Sequence, residues 1–221
     1  LVLRQTETNA EKEILPTGKS YIRDIKFSPD GNYFYYAFES LITNSLRIDI
    51  FRVPLLGGEP EKVVENVGKS FAVSPDGRKI AFVRNPISPF VSKLTTYDVE
   101  TQEEHLLAAV NEKAIKSLAY SPDNSKLAFF ISISPSDDFF KLGWIPAEGG
   151  EIQELSQTTV KLGDCKWLSD GSGLLAAAQL SDQKYGQIYK ISFPQGDFVP
   201  IVTSTGTFDQ ISISKDNNFL V

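Results

Sequence analysis

Methionine is absent from this 221-residue sequence, and cysteine and histidine occur only once each. The single cysteine, Cys165, excludes an intrachain disulfide and any zinc site built on several cysteines. No apolar run reaches the roughly eighteen residues of a membrane-spanning helix, and no signal peptide is evident. The lack of methionine, with Leu1 as the first residue, indicates a piece of a longer protein. The compartment stays open, with a periplasmic or extracytoplasmic location favoured.

Basic runs of five or more residues are also absent, and the formal net charge is −6. Nucleic-acid binding normally requires a basic patch, so this function is excluded for the chain. No Gly-x-Ser-x-Gly nucleophile elbow, phosphate loop or dinucleotide fingerprint occurs. The only histidine, His105, is interpreted as a surface residue beside Glu103 and Glu104. We therefore predict no catalytic site, no metal site and no cofactor within this chain.

What the sequence does contain is one unit repeated five times, each copy centred on a turn of the Ser-Pro-Asp-Gly type. Successive turn aspartates are 46 or 47 residues apart. Pro presets the backbone of such a turn, and the Asp side chain accepts hydrogen bonds from backbone N–H groups further along. We interpret the aspartates as structural turn residues rather than as a metal array. They are Asp30, Asp76, Asp123, Asp170 and Asp216.

Each period holds four short antiparallel strands, here called A to D from the inside outward, as in a blade of a β-propeller. The predicted fold is therefore all-β, with four whole blades and a half-blade at each end. The terminal halves either pair into a fifth blade of a five-bladed ring, or the chain is an arc of a larger propeller. The predicted boundaries are a half-blade at 1–18, blades at 19–66, 67–111, 112–158 and 159–205, and a half-blade at 206–221.

The phrase Phe-Ser-Pro-Asp-Gly, followed by Lys or Arg, any residue and Ile-Ala-Phe, resembles the blade repeat of TolB-like propellers, which are related to WD repeats. It is carried by Phe27–Gly31, Val73–Phe82 and Tyr120–Phe129. More narrowly, the segments 1–36 and 167–221 resemble the C-terminal propellers of bacterial eukaryotic-like Ser/Thr kinases and of winged-helix regulators. That resemblance implies a sensory or partner-binding module of a signalling protein.

The loops between strands B and C differ from blade to blade while the strands around them repeat. Binding residues concentrate on loops carried by a rigid scaffold, and aromatic side chains are frequent interface anchors. We therefore predict that a protein partner or small ligand binds there. The candidate residues are Arg84, Phe90, Asp137, Asp138, Phe139, Phe140, Lys184 and Tyr185.

A second polar group lies on the innermost strands, where side chains at one register share one face of strand A. We interpret it as the hydrated lining of a central channel, with a small-molecule or ion site as the alternative. The residues are Asp24, Ser70, Ser117, Asp164 and Gln210, followed two positions later by Lys26, Ala72, Ala119, Lys166 and Ser212.

Three functions are compatible with these features. The preferred hypothesis is a non-catalytic propeller that binds a partner through its B–C loops. The second is a propeller that gates a prolyl-oligopeptidase-like serine hydrolase whose catalytic domain lies outside this chain. The third is a TolB-like periplasmic scaffold.

Overall fold

The computed structural model describes residues 2–4, 9, 11–13, 21–42, 45–84, 91–134, 138–203, 206, 208, 211–214 and 217. These residues form seventeen β-strands, all paired antiparallel, and no helix. Among them, accordingly, no helix has the length and apolarity needed to cross a membrane. The all-β prediction is confirmed. The chain divides into two compact units, residues 1–69 and 70–221.

The first unit contains a two-stranded and a four-stranded sheet. The four-stranded sheet runs in sequence order from β3 to β6 and fits one propeller blade. Its core is formed by Phe34, Tyr36 and Val53. The strands of this unit are β1 (Val2–Arg4), β2 (Glu11–Glu13), β3 (Tyr21–Phe27), β4 (Tyr33–Ile42), β5 (Ser45–Pro54) and β6 (Glu61–Val64).

The second unit contains a four-stranded sheet and a seven-stranded sheet, both in sequence order. The four-stranded sheet, β7 to β10, is the second predicted blade. Its strands are β7 (Phe71–Val73), β8 (Lys79–Arg84), β9 (Val91–Asp98) and β10 (Glu104–Asn111). The strands of the seven-stranded sheet are β11 (Ile115–Tyr120), β12 (Lys126–Ser132), β13 (Phe140–Pro146), β14 (Gln153–Trp167), β15 (Gly173–Leu180), β16 (Gln187–Ser192) and β17 (Phe198–Val202).

The seven-stranded sheet arises because β14 belongs to two blades. Its first half pairs with β13, and its second half pairs with β15. The predicted boundary between residues 158 and 159 falls inside this strand of fifteen residues. Strand D of the third blade therefore continues directly into strand A of the fourth, and each blade still has four strands.

Neighbouring blades of the second unit pack face to face. Leu94 of the second blade and Phe129 of the third lie in one core cluster, while Phe130 of the third and Leu174 of the fourth lie in another. Middle strands such as β12 are consequently buried on both faces. This explains why their apolar runs do not alternate with polar residues.

Side-chain hydrogen bonds reinforce the backbone hydrogen bonds of the repeated turn. Ser28 Oγ donates to the Asp30 carboxylate at 2.5 Å and accepts the Tyr33 N–H at 2.9 Å. The same carboxylate accepts the Asn32 N–H at 3.1 Å. Gly31 lies between them with φ +73°, a conformation that glycine adopts without strain. The residues of the repeated motif thus help to close the hairpin between strands A and B.

Candidate functional site

The turn aspartates lie in hydrogen-bonded hairpins wherever the structure describes them. The pKa of Asp123 is held well below its ordinary value, first by the Ser121 hydroxyl and then by the Ser125 N–H. The pKa of Asp170 is lowered first by the Ser172 N–H. These hydrogen bonds explain the position of each carboxylate and its lowered pKa without a bound ligand. Asp30 and Asp76 are held in the same way, and Asp216 lies outside the described residues.

The candidate loop residues are placed unequally. Phe90 of the second blade and Asp137 of the third blade lie outside the described residues. Of the two candidates in the second blade, the structure therefore describes Arg84. Arg84 donates to both carboxylate oxygens of Glu104, with Nη2 to Oε1 at 2.8 Å, and its guanidinium lies over the Phe82 ring. This guanidinium is already occupied by an internal ion pair. It is a weaker candidate for ligand binding than the sequence suggested.

Two adjacent phenylalanines of the third blade differ in burial. Phe140 is 4% exposed, because it begins β13 and pairs with Val160 of β14, so its ring belongs to the core. Phe139 stays half-buried, and the Lys161 ammonium lies 5.8 Å from the centroid of its ring. Of this pair, therefore, Phe139 is the residue that a ligand can reach. Asp138 beside it is exposed.

The fourth blade's loop carries a second lysine–aromatic pair on an ordered turn. Lys184 Nζ lies 5.1 Å from the centroid of the exposed Tyr185 ring. The Gln179 side chain donates to the carbonyl oxygens of Gln183 and Lys184, at 2.8 and 3.1 Å. The Tyr189 hydroxyl in turn donates to Gln183 Oε1 at 2.6 Å. The backbone beneath Lys184 and Tyr185 is thereby fixed.

We call the surface formed by Asp138, Phe139, Lys161, Lys184 and Tyr185 the loop face. Of the two lysines on this face, Lys184 was among the predicted residues and Lys161 was not. Lys161 lies on strand β14, whereas the prediction considered only the loops. The repeat gave no signal for it, since Lys161 lies nine residues before Asp170 and no other copy carries a lysine or arginine at that position.

The polar residues of the innermost strands form a chain of hydrogen bonds from blade to blade. Ser70 Oγ accepts the Ser117 N–H at 3.2 Å, and Ser117 Oγ donates to the Asp164 carboxylate at 2.6 Å. Asp164 also binds Lys166 Nζ at 2.8 Å and accepts the Ile211 N–H at 3.2 Å. Each bond joins residues 47 positions apart, except the local pair with Lys166.

Burial by itself would raise the pKa of Asp164, but the charge of Lys166 and the hydrogen bonds outweigh it, so this pKa is lowered. The carboxylate is therefore ionised and fully engaged within the protein. In the first unit, Asp24 and Lys26 form the same two-residue ion pair, while Gln210 lies outside the described residues. We call the hydrogen-bonded residues Ser70, Ser117, Asp164 and Lys166 the inner network. We interpret it as a structural connection between the A strands of neighbouring blades, not as an open ligand site.

No family model matches the sequence, and no curated protein matches it. Solved structures with a similar fold do exist. TolB from Acinetobacter baumannii is 15% identical with a TM-score of 0.75 over 99% of this chain and 52% of that chain. Oligogalacturonate lyase from Vibrio parahaemolyticus is 16% identical with a TM-score of 0.67 over 99% of this chain and 62% of that one.

The β-propeller domain of the Trilobed protease from Pyrococcus furiosus is 20% identical, with a TM-score of 0.57 over 84% of this chain and 58% of that one. The chain thus spans between about half and two thirds of these structures. The predicted β-propeller of four-stranded blades is confirmed, with the fold of TolB-like proteins. The narrower resemblance to kinase and winged-helix regulator propellers stays a prediction. Because TolB, a lyase and the propeller domain of a protease share this fold, function has to be argued from the residues.

Proposed function

We propose that this chain is a non-catalytic propeller module that binds a protein partner through the loop face. The observation that carries the proposal is the pairing of Lys161 with Phe139 and of Lys184 with Tyr185. Among the described residues, neither ammonium forms an ion pair with a carboxylate. Both cations therefore retain the ability to pair with acidic groups of a partner.

The chemistry of the loop face suits an acidic partner surface. Aromatic side chains that remain accessible supply contact area at a low entropic cost, and adjacent cations supply charge complementarity. The ring beneath each lysine holds its ammonium in place, a contact worth about 0.5–1 kcal/mol at exposed sites. The loop face carries these two lysines and the carboxylate of Asp138, in a chain whose formal net charge is −6.

Order in the loop favours binding as well. The hydrogen bonds from Gln179 and Tyr189 fix the turn that carries Lys184 and Tyr185 before any partner arrives. Less conformational entropy is then lost on association than with a floppy loop. In its finer form, the proposal is that the module is the sensor or interaction part of a larger bacterial signalling protein.

A second candidate is a propeller that gates a hydrolase. It is supported by the similarity to the propeller domain of the Trilobed protease. The two candidates differ in what the loop face contacts, a separate acidic protein in the first and a catalytic domain in the second. The protein captured in the experiment below distinguishes them.

The test starts with the immobilised chain and an extract of the source organism. The captured protein is identified, purified and titrated against the wild type and a Phe139→Ala/Tyr185→Ala double variant. We expect the double variant to bind at least about tenfold more weakly, as loss of interface anchors usually costs more than 1 kcal/mol. Leu56→Ala, at a residue that is 86% exposed in the first unit, is the matched control. Equal affinity for all three proteins would refute the proposal.

A further inference from the structure

A cleft of about 380 Å³ opens at the opposite end of the strands, between the A–B turns of the third and fourth blades. We call it the rim cleft. One wall is the A–B turn of the third blade and the other is the A–B turn of the fourth. The side chain of Phe193, from the C–D turn of the fourth blade, completes the lining. It is lined by Ser121, Pro122, Asp123, Lys126, Trp167, Ser169, Asp170, Gly171 and Phe193.

Two aromatic rings form the apolar part of the rim cleft. The rings of Trp167 and Phe193 meet edge to face, with centroids 5.0 Å apart. Trp167 is fixed by its indole N–H, which donates to the Ala119 carbonyl at 3.1 Å. The Lys126 ammonium lies 5.6 Å from the centroid of the Phe193 ring. The cleft therefore already holds one cation against an aromatic face.

Equivalent junctions on either side of this cleft are bridged by asparagine. Between the second and third blades, Asn124 Oδ1 accepts the Asp76 N–H at 3.2 Å. At the next junction, Asn217 Oδ1 accepts the Ser169 N–H at 3.1 Å, and Asn217 Nδ2 donates to Ser169 Oγ at 2.7 Å. Each asparagine follows the turn aspartate and connects its own turn to the preceding blade.

Glycine stands at the same position in the first, second and fourth turns, as Gly31, Gly77 and Gly171. Among the three junctions described within the second unit, the one containing the rim cleft is the one with glycine instead of asparagine. Gly171 has φ +71°, close to the φ of +61° at Asn124 and Asn217, so the backbone is the same. An added Cβ at Gly171 would meet no atom within 4 Å. Glycine has no side-chain amide that could accept the N–H of Asp123, which is the counterpart of the Asp76 donor. The space and the donor that an asparagine would use are left to a ligand.

The walls of the rim cleft are acidic. The carboxylates of Asp123 and Asp170 both line it, together with one ammonium, that of Lys126, which lies 4.0 Å from Asp123 Oδ2. The lining thus carries one more negative than positive charge. Both aspartates are exposed, and their turns hold their pKa values below the ordinary range, so they stay anionic at neutral pH. Anionic walls around an aromatic floor favour a second cation.

We propose that the rim cleft binds a basic peptide segment. An arginine or lysine side chain lies along the Trp167 and Phe193 rings between the two carboxylates. A carbonyl oxygen of the peptide accepts the Asp123 N–H, in place of the absent asparagine amide. This site is separate from the loop face, because A–B turns and B–C loops lie at opposite ends of the strands.

The experiment fills the cleft with the side chain that the neighbouring junctions carry. In Gly171→Asn, the backbone already suits asparagine and the new amide bridges to the third blade, so we expect a folded protein with a melting temperature no lower than wild type. The probe is N-acetyl-arginine amide, and the readout is the indole N–H signal of Trp167 in NMR spectra. The chain has two tryptophans, so this signal is readily assigned by a Trp144→Phe variant.

We expect a saturable shift of the Trp167 signal in the wild type and in Gly31→Asn, a control in the equivalent turn of the first unit. Binding should weaken at least about tenfold in Gly171→Asn, and to a similar degree when the neutral N-acetyl-glutamine amide replaces the arginine probe. Absence of a saturable shift would overturn the proposal. So would undiminished binding to Gly171→Asn, and equal binding of the neutral probe would overturn the role of the carboxylates.

Discussion

The inner network and the loop face use charged side chains in opposite ways. In the inner network, Asp164 is surrounded by Lys166, a serine hydroxyl and a backbone N–H, so its charge is satisfied within the protein. On the loop face, Lys161 and Lys184 lie on aromatic rings instead. The difference separates a charge that joins strands from charges that remain available to a partner. We therefore expect stability to depend on the first region and the proposed partner binding to depend on the second.

The largest effect on stability is expected from Asp164→Leu. It removes the acceptor of the Ser117 hydroxyl and the Ile211 N–H and leaves Lys166 without its carboxylate, so we expect the free energy of unfolding to fall by about 3 kcal/mol. Urea denaturation measures the change. The Asp164→Leu/Lys166→Leu double variant should recover part of the loss because it removes the unpaired cation. A loss below about 0.5 kcal/mol in the single variant would show that the network does not hold the strands together.

A smaller loss is expected from the repeated turn. Ser121→Ala removes a hydroxyl that donates to Asp123 and accepts the Lys126 N–H at 2.9 Å. We expect the free energy of unfolding to fall by about 1–2 kcal/mol, because the part-buried Lys126 N–H loses its partner. Ser125→Ala in the same turn is the comparison, since the Ser125 hydroxyl also donates to Asp123, at 2.8 Å, but is not the acceptor of the Lys126 N–H. If both variants lose the same amount, the serine of the repeat has no special role.

The sequence predicted the turns and strands well, because their determinants are local and repeated. The Ser-Pro-Asp-Gly letters carry their own hydrogen bonds, and the spacing of 46 or 47 residues places one turn in each blade. Face-to-face packing of blades also follows from apolar runs such as Leu174–Ala177, each residue of which is 5% exposed or less.

The candidate site was predicted less completely, since it depends on contacts between strands. Phe139 and Phe140 look alike in the sequence, and only the start of β13 at Phe140 decides which ring is buried. Lys161 reaches the Phe139 ring from another strand, which no local pattern reveals. Likewise, Gly171 looks like an ordinary turn glycine until the asparagine bridges at the neighbouring junctions are seen.

Acid should weaken the turn of the third blade. The folded-state pKa of Asp123 is lowered below its unfolded value of about 3.9, so its contribution is complete above that value and disappears as the pH falls through the folded pKa. We expect the stability difference between wild type and Ser121→Ala to be constant from pH 7 to about pH 5. The difference should then shrink toward pH 2 in a series of denaturation curves. A difference that grows on acidification would contradict the assigned sign.

The smallest effect on stability is expected on the loop face itself. Lys161→Ala and Tyr185→Ala should each change the free energy of unfolding by no more than about 0.5 kcal/mol, because neither removes a buried group. Both should nonetheless weaken partner binding. Thermal melts and titrations on the same samples compare the two quantities. A large loss of stability with unchanged binding would show that these side chains stabilise the fold and do not contact the partner.

Hydrogen–deuterium exchange of the chain with its purified partner tests the central claim most directly. If the loop face binds, amides at 138–140 and 181–186 become protected in the complex, while the turns at 28–32 and 74–78 exchange as they do in the free protein. Protection confined to those turns, with no change at 138–140 or 181–186, would contradict the claim.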